Sequence, residues 1–215
     1  MEGPVNEYHK IQTLYLRDPE TNHKTLLEGQ FAKPAFEYLA DREWVFTEKV
    51  DGTNIRVGWD GETVAFGGRT DRAQIPAFLV AHLMDRFTAD ALAGAFDCGG
   101  VTLYGEGYGA RIQKGGGRYL RDSVGFVLFD VQVGGWWLER ENVEDIAGKL
   151  DIPVVPIIGR GTVFDAVDAV RAGFVSTLAT DTTLTAEGIV LRPAVELHDR
   201  RGDRIISKLK HRDFA

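Results

Sequence analysis

The sequence predicts an α+β fold in which mostly antiparallel sheets are flanked by helices. Short β-prone runs outnumber the helical stretches, and the two do not alternate regularly as they would in a doubly wound parallel sheet. An Asp-Gly dipeptide at residues 60–61 joins two of these runs and is typical of an antiparallel hairpin. With 215 residues, of which 44% are hydrophobic, the chain can fill one core, so we expect a single domain over residues 1–215.

The strands are predicted from β-branched, aromatic or alternating runs that end at turn residues. The run that ends at 133 is almost continuously apolar and predicts a central strand, whereas the last two runs flank a polar turn at 199–203. Trp136 and Trp137 follow a glycine and are interpreted as core or hairpin aromatics. The expected strands lie at residues 44–47, 55–59, 63–66, 101–104, 125–133, 154–158, 188–191 and 205–210.

The helices are predicted from apolar residues at helical spacing. Residues 77–96 are long enough for one or two helices, and residues 140–150 and 163–172 each have the pattern of one helix. A glycine-rich loop is expected at 105–117.

Charge is unevenly distributed in this acidic chain, whose formal net charge is −7. Residues 107–121 contain four basic side chains and no acidic one, and residues 200–212 contain six basic side chains against Asp203. The two segments indicate either a localised phosphate-binding face or solvated loops.

Several functional classes are disfavoured. No apolar run approaches the roughly 20 residues that span a bilayer, and residues 1–10 are polar, so we expect neither a membrane partner nor a secretory signal. Cys98 is the single cysteine, which suits a reducing, cytoplasmic location. The chain lacks the glycine-rich lysine loop of P-loop nucleotide-binding proteins, so any ATP would be bound in another way.

Residues 48–54, with the sequence EKVDGTN, are the most informative segment. A lysine two residues before an Asp-Gly turn, followed by an asparagine, also occurs in ordinary hairpins. Five further segments, in chain order, decide whether this lysine belongs to an ordinary hairpin or to a larger set of motifs. They are residues 66–70 (FGGRT), 103–107 (LYGEG), 126–130 (FVLFD), 186–192 (AEGIVLR) and 206–210 (ISKLK).

Together the six segments resemble the ordered motifs of the covalent nucleotidyltransferases, which include polynucleotide ligases and mRNA-capping enzymes. Residues 106–114, 155–161 and 185–188 narrow the resemblance to the bacteriophage-type RNA ligase 2 family. This resemblance covers about residues 44–214 and implies the nucleotidyltransferase fold of ligase adenylation domains, similar to ATP-grasp. It stops just past the last motif, so we expect no C-terminal helical or OB domain.

The resemblance implies that Lys49 is the nucleophile, and that the chain around Glu48 and Val50 lines the adenine pocket. It places Asn54, Arg69 and Glu106 against the ribose and phosphate of AMP. A carboxylate suits a ribose edge because it accepts hydrogen bonds from two hydroxyl groups.

Phe129 would stack on adenine, with Phe126 as the rival for that role. Lys208 and Lys210 would hold the α-phosphate. Glu187 is the candidate ligand of Mg²⁺, or of Mn²⁺, which prefers one or two carboxylates together with water and substrate phosphates.

The implied reaction joins RNA ends. A lysine amine ordinarily carries a proton at pH 7 and must lose it to attack phosphorus, which nearby cations favour. Lys49 would take AMP from ATP and pass it to an RNA 5′-phosphate, which a 3′-hydroxyl then attacks, in single strands or in a duplex. The two basic segments would follow the RNA backbone and make joining depend on salt.

Three alternatives remain open: a DNA or mixed-strand ligase, a capping guanylyltransferase, and a non-catalytic nucleotide- or RNA-binding module. Capping enzymes and DNA ligases usually carry an OB domain after the last motif, which argues against both. The residues do not identify the natural RNA, the oligomeric state or protein partners.

Overall fold

The structure is a computed structural model that describes residues 7–214, so the first six residues and the last residue of the expected domain lie outside it. The chain forms two compact units. Unit 1 comprises residues 7–9, 51–155 and 178–181, and unit 2 comprises residues 10–50, 156–177 and 182–214.

The described chain contains twelve strands and five α-helices. In chain order they are β1 (Gln12–Thr13), β2 (Tyr15–Arg17), β3 (Leu26–Phe31), α1 (Pro34–Tyr38), β4 (Trp44–Lys49), β5 (Thr53–Trp59), β6 (Val64–Gly67), α2 (Ala77–Arg86), α3 (Ala89–Ala95), β7 (Val101–Gly109), β8 (Val124–Val133), β9 (Trp136–Trp137), α4 (Arg140–Lys149), β10 (Ile157–Gly161), α5 (Val163–Ala172), β11 (Gly188–Pro193) and β12 (Ser207–Lys210).

Unit 2 is organised by a five-stranded sheet in the order β1-β12-β11-β4-β10. All neighbouring pairs are antiparallel except β1 and β12, which run parallel. Strands β2 and β3 form a separate two-stranded ribbon. One face of the larger sheet packs in an apolar core with α5 and α1. Core residues include Trp44, Phe46, Val163, Ile189 and Leu209.

Unit 1 is organised by an antiparallel sheet in the order β6-β5-β7-β8-β9. Helices α2, α3 and α4 cover one of its faces and bury alternate strand residues such as Ile55, Val57 and Leu103. The residues between them along β5 and β7, which include Asn54 and Glu106, therefore lie on the opposite face.

The α+β class with mostly antiparallel sheets is confirmed. Residues 77–96 form two helices, and the second begins where the Thr88 side chain accepts a hydrogen bond from the Ala91 amide. The helix over 163–172 has the predicted bounds.

Two predicted elements have boundaries that are wrong by three residues or more. The strand expected at 154–158 starts only at Ile157, because Pro153 and Pro156 have no N–H to donate to a strand ladder. The predicted loop at 105–117 begins with five residues of β7, because glycines at 105 and 107 let that strand pack against Phe126 and Leu79.

The tryptophan pair lies in a hairpin, as one of the two interpretations had it. Gly134 and Gly135 form its turn with φ of 56° and 87°, which glycine adopts without strain. Trp136 is 80% exposed, whereas Trp137 is half-buried and packs on Tyr104. No helix of the described chain is long and apolar enough to cross a membrane.

The fold predicts that Leu209 stabilises unit 2. Its side chain is fully buried between the two lysines of β12, so Leu209→Ala should lower the free energy of unfolding by about 2–5 kcal/mol. Leu16→Ala is the control, because Leu16 is 44% exposed and its removal should cost less than about 1 kcal/mol. Urea denaturation measures both, and equal losses would contradict this assignment of the core.

Candidate active site

Three neighbouring strands bring the predicted nucleophile into a row with a second lysine. Gly188 in β11 lies opposite Lys49 of β4 on one side and Lys210 of β12 on the other. Side chains alternate along strands, so Lys49, Lys208 and Lys210 lie on the face turned away from the unit 2 core. The spacing of two residues between Lys208 and Lys210 thus places both on the face of the nucleophile.

Glu187 joins the two lysines of this row. Its Oε2 lies 2.5 Å from Lys49 Nζ, and its Oε1 lies 2.6 Å from Lys210 Nζ. Burial would raise the pKa of Glu187, but the charges and hydrogen bonds of Lys49 and Lys210 outweigh it and hold the pKa below its ordinary value of 4.5. The carboxylate is therefore ionised at neutral pH and bridges two ammonium groups.

Gly188 allows β11 and β12 to approach each other closely enough for this row of side chains to form. A Cβ at this position would lie 2.0 Å from the carbonyl oxygen of Leu209 and 2.8 Å from the Cα of Lys210. Any larger residue would push β12 away from β11 and would move Lys210 relative to Glu187.

Glu48 lies on the opposite face from Lys49, and its side chain is 1% exposed. Its carboxylate accepts hydrogen bonds from the Ser176 hydroxyl, and from the amide nitrogen and hydroxyl of Thr177, at 3.0 and 3.1 Å for the latter two. The side chain therefore ties residues 176–177 to β4. Val50, the other neighbour of the lysine, is also buried.

Unit 1 contains four of the predicted site residues. Asn54 of β5 and Glu106 of β7 are directly paired across the ladder, on the face opposite the helices. Oδ1 of Asn54 is buried and has no hydrogen-bond partner within residues 7–214. A buried acceptor without a donor is costly, and a ligand hydroxyl or amine would satisfy it.

The turn after Lys49 is fixed from within unit 1. The carbonyl of Gly52 accepts a hydrogen bond of 2.8 Å from Gln113 Nε2, and the Asp51 amide donates to Tyr119 Oη over 3.2 Å. A Cβ at Gly52 would lie 2.3 Å from the Gly107 carbonyl oxygen and 2.7 Å from Cγ of Glu106. The glycine of the Lys-x-Asp-Gly segment is thus required for its close approach to β7.

Arg56 is a residue of this region that the sequence reasoning missed. It is 1% exposed, and it donates to the Gly68 carbonyl at 2.7 Å and to Asp71 at 2.9 Å. It thereby holds the loop that carries the exposed Arg69. An arginine between the apolar residues Ile55 and Val57 was the available signal.

The two candidate stacking residues have different surroundings. Phe126 is 3% exposed and packs edge-on against Phe87 in the unit 1 core. Phe129 is half-buried and contacts the ring of Tyr8, whose hydroxyl donates to Asp130. Phe129 is therefore the more accessible of the two.

The basic segments are only partly available to a ligand. Arg118 pairs with Asp181 at 2.7 Å, and Arg204 is buried against Glu196 at the same distance. The ring nitrogen Nδ1 of His211 lies 2.8 Å from the Val170 carbonyl. Exposed basic residues remain in both segments, namely Arg111, Lys114, Arg121, Arg200, Arg201 and Arg212.

A divalent cation would have to be held by few protein ligands. No group of three or more His, Cys, Asp or Glu side chains converges within the described residues. Glu187 fits a Mg²⁺ or Mn²⁺ ion that keeps water and phosphate ligands, because such ions need only one or two carboxylates. At least one of its oxygens would first have to release the ammonium group of Lys49 or Lys210 before it binds the metal.

A family model described as RNA ligase matches residues 42–210. The chain belongs to the RNA ligase family. The match begins just before β4 and ends with Lys210, so it contains every predicted site residue. Among curated proteins, no sequence relative matches the chain.

The fold is similar to that of solved Naegleria gruberi RNA ligase structures. A variant with ATP and manganese matches with a TM-score of 0.68 and 15% identity, over 97% of this chain and 56% of that one. An apo variant gives 0.67 and 15%, and a complex with pyrophosphate gives 0.65 and 16%, with the same coverage of both chains. This chain thus spans little more than half the length of those ligases.

The Glu187 bridge, meaning its ion pairs with Lys49 and Lys210, predicts how the stability of the fold depends on pH. Glu187→Gln should lower the free energy of unfolding at pH 7 by about 1–3 kcal/mol, because it removes a charge that binds two ammonium groups. The folded-state pKa of Glu187 lies below 4.5, so the stabilisation is present above that pH and is lost as the pH falls through the folded-state pKa.

Denaturant unfolding of both proteins from pH 7 to pH 3 measures this effect, with the exposed Glu37→Gln as control. The control should stay within about 0.5 kcal/mol of wild type throughout. A Glu187→Gln difference that does not shrink at acid pH would contradict the bridge.

Proposed function

We propose that this protein is an ATP- and Mg²⁺-dependent RNA ligase that acts through a covalent lysyl-AMP intermediate. The observation that carries the proposal is the Glu187 bridge between Lys49 and Lys210 in a chain of the RNA ligase family. A lysine, a carboxylate and a second cation on one sheet face are the groups that nucleotidyl transfer to an amine requires.

The first step would be attack of the Lys49 amine on the α-phosphorus of ATP. The N–P bond forms while the bond to the bridging oxygen breaks, pyrophosphate leaves, and the amine loses its proton. In the resting pair Lys49 donates to Glu187. Lys49 must therefore leave Glu187 and give up a proton to water before its nitrogen can attack.

Glu187 would be released by taking up the metal. A bound Mg²⁺ or Mn²⁺ would neutralise charge on the α-phosphate while pyrophosphate leaves. Lys208 and Lys210 would then be available to bind the phosphate oxygens. Solved Naegleria gruberi RNA ligases with ATP or AMP and manganese support this choice of cofactors.

The residues of unit 1 would bind the remainder of the nucleotide. In this proposal Glu106 accepts hydrogen bonds from the ribose hydroxyls, Asn54 and Arg69 contact ribose or phosphate, and Phe129 stacks on adenine. The unpartnered Oδ1 of Asn54 and the burial of Phe126 support these roles. The chain around Glu48 and Val50 would contact adenine through its backbone, because both side chains are buried.

The second and third steps would join RNA in the cytoplasm. An RNA 5′-phosphate attacks the AMP phosphorus and Lys49 leaves, and a 3′-hydroxyl then attacks the activated 5′-phosphate and AMP leaves. Each step is an in-line displacement at phosphorus, so one set of positive groups can serve all three. Units 1 and 2 would work as one nucleotidyltransferase module on RNA in single strands or in a duplex.

The proposal predicts covalent labelling of Lys49. Wild-type protein incubated with α-labelled ATP and Mg²⁺ should retain label on a denaturing gel, and added pyrophosphate should release it. Lys49→Ala and the charge-preserving Lys49→Arg should both lose the label, because neither supplies the nucleophilic amine. Removal of metal with a chelator should abolish labelling of the wild type.

Lys149→Ala serves as the control, because Lys149 is an exposed lysine on α4 and should leave labelling unchanged. Preloading with AMP is excluded beforehand by intact mass. ATP binding without covalent label would identify a non-catalytic binding module instead. If label transfers to DNA ends as readily as to RNA ends, the specificity for RNA is wrong.

A further inference from the structure

A cavity of about 730 Å³ lies in unit 2 at the sheet edge where β1 pairs with β12. It is lined by β1, β2, the turn that leads into β3, β12 and the residues that follow β12. Its wall is strongly basic, and Asp213 is its single acidic residue. The basic residues are Lys10, Arg17, Lys24, Lys208, Lys210 and Arg212.

Part of this positive charge has no counter-ion among the residues that the structure describes. Asp213 pairs with Arg17 at 2.6 Å, and Lys210 pairs with Glu187. Within residues 7–214, no acidic side chain forms an ion pair with Lys10, Lys24 or Arg212. Three unpaired cations around one concave surface favour an anionic ligand with more than one charge.

The cavity is continuous with the row that contains the nucleophile. Lys210 lines the cavity and also binds Oε1 of Glu187, whose other oxygen binds Lys49. Lys208 lines it too and is paired with Thr13 of β1. A ligand that fills the cavity therefore ends next to the groups proposed to hold the α-phosphate.

The size and composition of the wall indicate a nucleotide chain rather than a bare phosphate. The volume falls within the range of about 300–1,000 Å³ that is typical of sites for organic ligands, and pyrophosphate would leave most of it empty. Ile11, Tyr15, Leu16 and Ala32 also line it and offer apolar contacts to sugars or bases.

We propose, on the basis of the proposed ligase function, that this cavity binds the 5′-phosphorylated end of the RNA strand that receives AMP. Lys10, Lys24 and Arg212 contact the phosphates of its first nucleotides. The N-terminal strands β1 and β2, with the residues that flank them, thus form a substrate subsite in addition to completing the fold of unit 2.

The test is the affinity of the protein for a short 5′-phosphorylated single-stranded RNA, measured by fluorescence anisotropy without ATP. Lys10→Gln combined with Lys24→Gln should weaken binding roughly tenfold at moderate salt. It should also reduce the slope of log K against log salt by about 1.4, which is about 0.7 for each lost phosphate contact on a single strand. The wild type should prefer a 5′-phosphate over a 5′-hydroxyl, and the double variant should lose that preference.

Lys149→Gln combined with Arg160→Gln is the matched control. It removes the same charge from two exposed side chains outside the cavity, and Arg160 lies on β10, the opposite edge strand of the unit 2 sheet. Its affinity should stay within about twofold of wild type, apart from a small general charge effect. Thermal unfolding midpoints confirm that both double variants are folded.

Three results would overturn the proposal. RNA affinity could be unchanged in the cavity variant, or the control could lose as much affinity as the cavity variant. Alternatively, the cavity variant could keep its RNA affinity but need a higher pyrophosphate concentration to release half of the AMP from Lys49. That result would assign the cavity to pyrophosphate. RNA binding needs no covalent step, so failure of Lys49 labelling would refute the ligase function separately.

Discussion

The ion pairs of Glu187 with Lys49 and Lys210 are the interaction on which the rest of the site depends. They require β4, β11 and β12 to be neighbours in one register, and Gly188 to leave room between them. Two ammonium groups on one sheet face would repel each other without the carboxylate between them. The buried face of the same strands, with Phe46, Ile189 and Leu209, keeps this register in place.

The charges around this bridge suit an acidic protein to the proposed nucleotide substrate. A cluster of positive groups lies on one face of unit 2 and in the cavity at its edge, while the net charge of the chain is −7. At rest, Glu187 pairs with Lys49, the proposed nucleophile, and holds it in a defined position. In the proposed reaction, Glu187 would hold the metal that neutralises charge on the α-phosphate, and Lys49 and Lys210 would become free to act on that phosphate.

The sequence predicted the fold class and most elements, because the apolar periodicity of β4, β8 and α5 is strong and local. The resemblance of the ordered motifs to a known family also predicted that Lys49, Glu187 and Lys210 lie together, which periodicity alone could not. The sequence reasoning missed the cavity and the role of Arg56. Lys10 and Lys24 have no motif. Lys10 precedes β1 and Lys24 precedes β3, and the pairing of β1 with β12 depends on residues far apart in the sequence. The buried hydrogen bonds of Glu48 with Ser176 and Thr177 join segments more than 120 residues apart, so no local pattern could reveal them.

The most direct test of this account is the single-turnover rate of AMP transfer to Lys49 in Glu187→Gln, compared with wild type. The substitution preserves size and removes the charge that holds Lys49 and would bind the metal. The account predicts a loss of roughly a hundredfold or more, with retained fold and retained binding of ATP. Transfer at the wild-type rate in a folded Glu187→Gln protein would show that the bridge is only structural and would contradict the account.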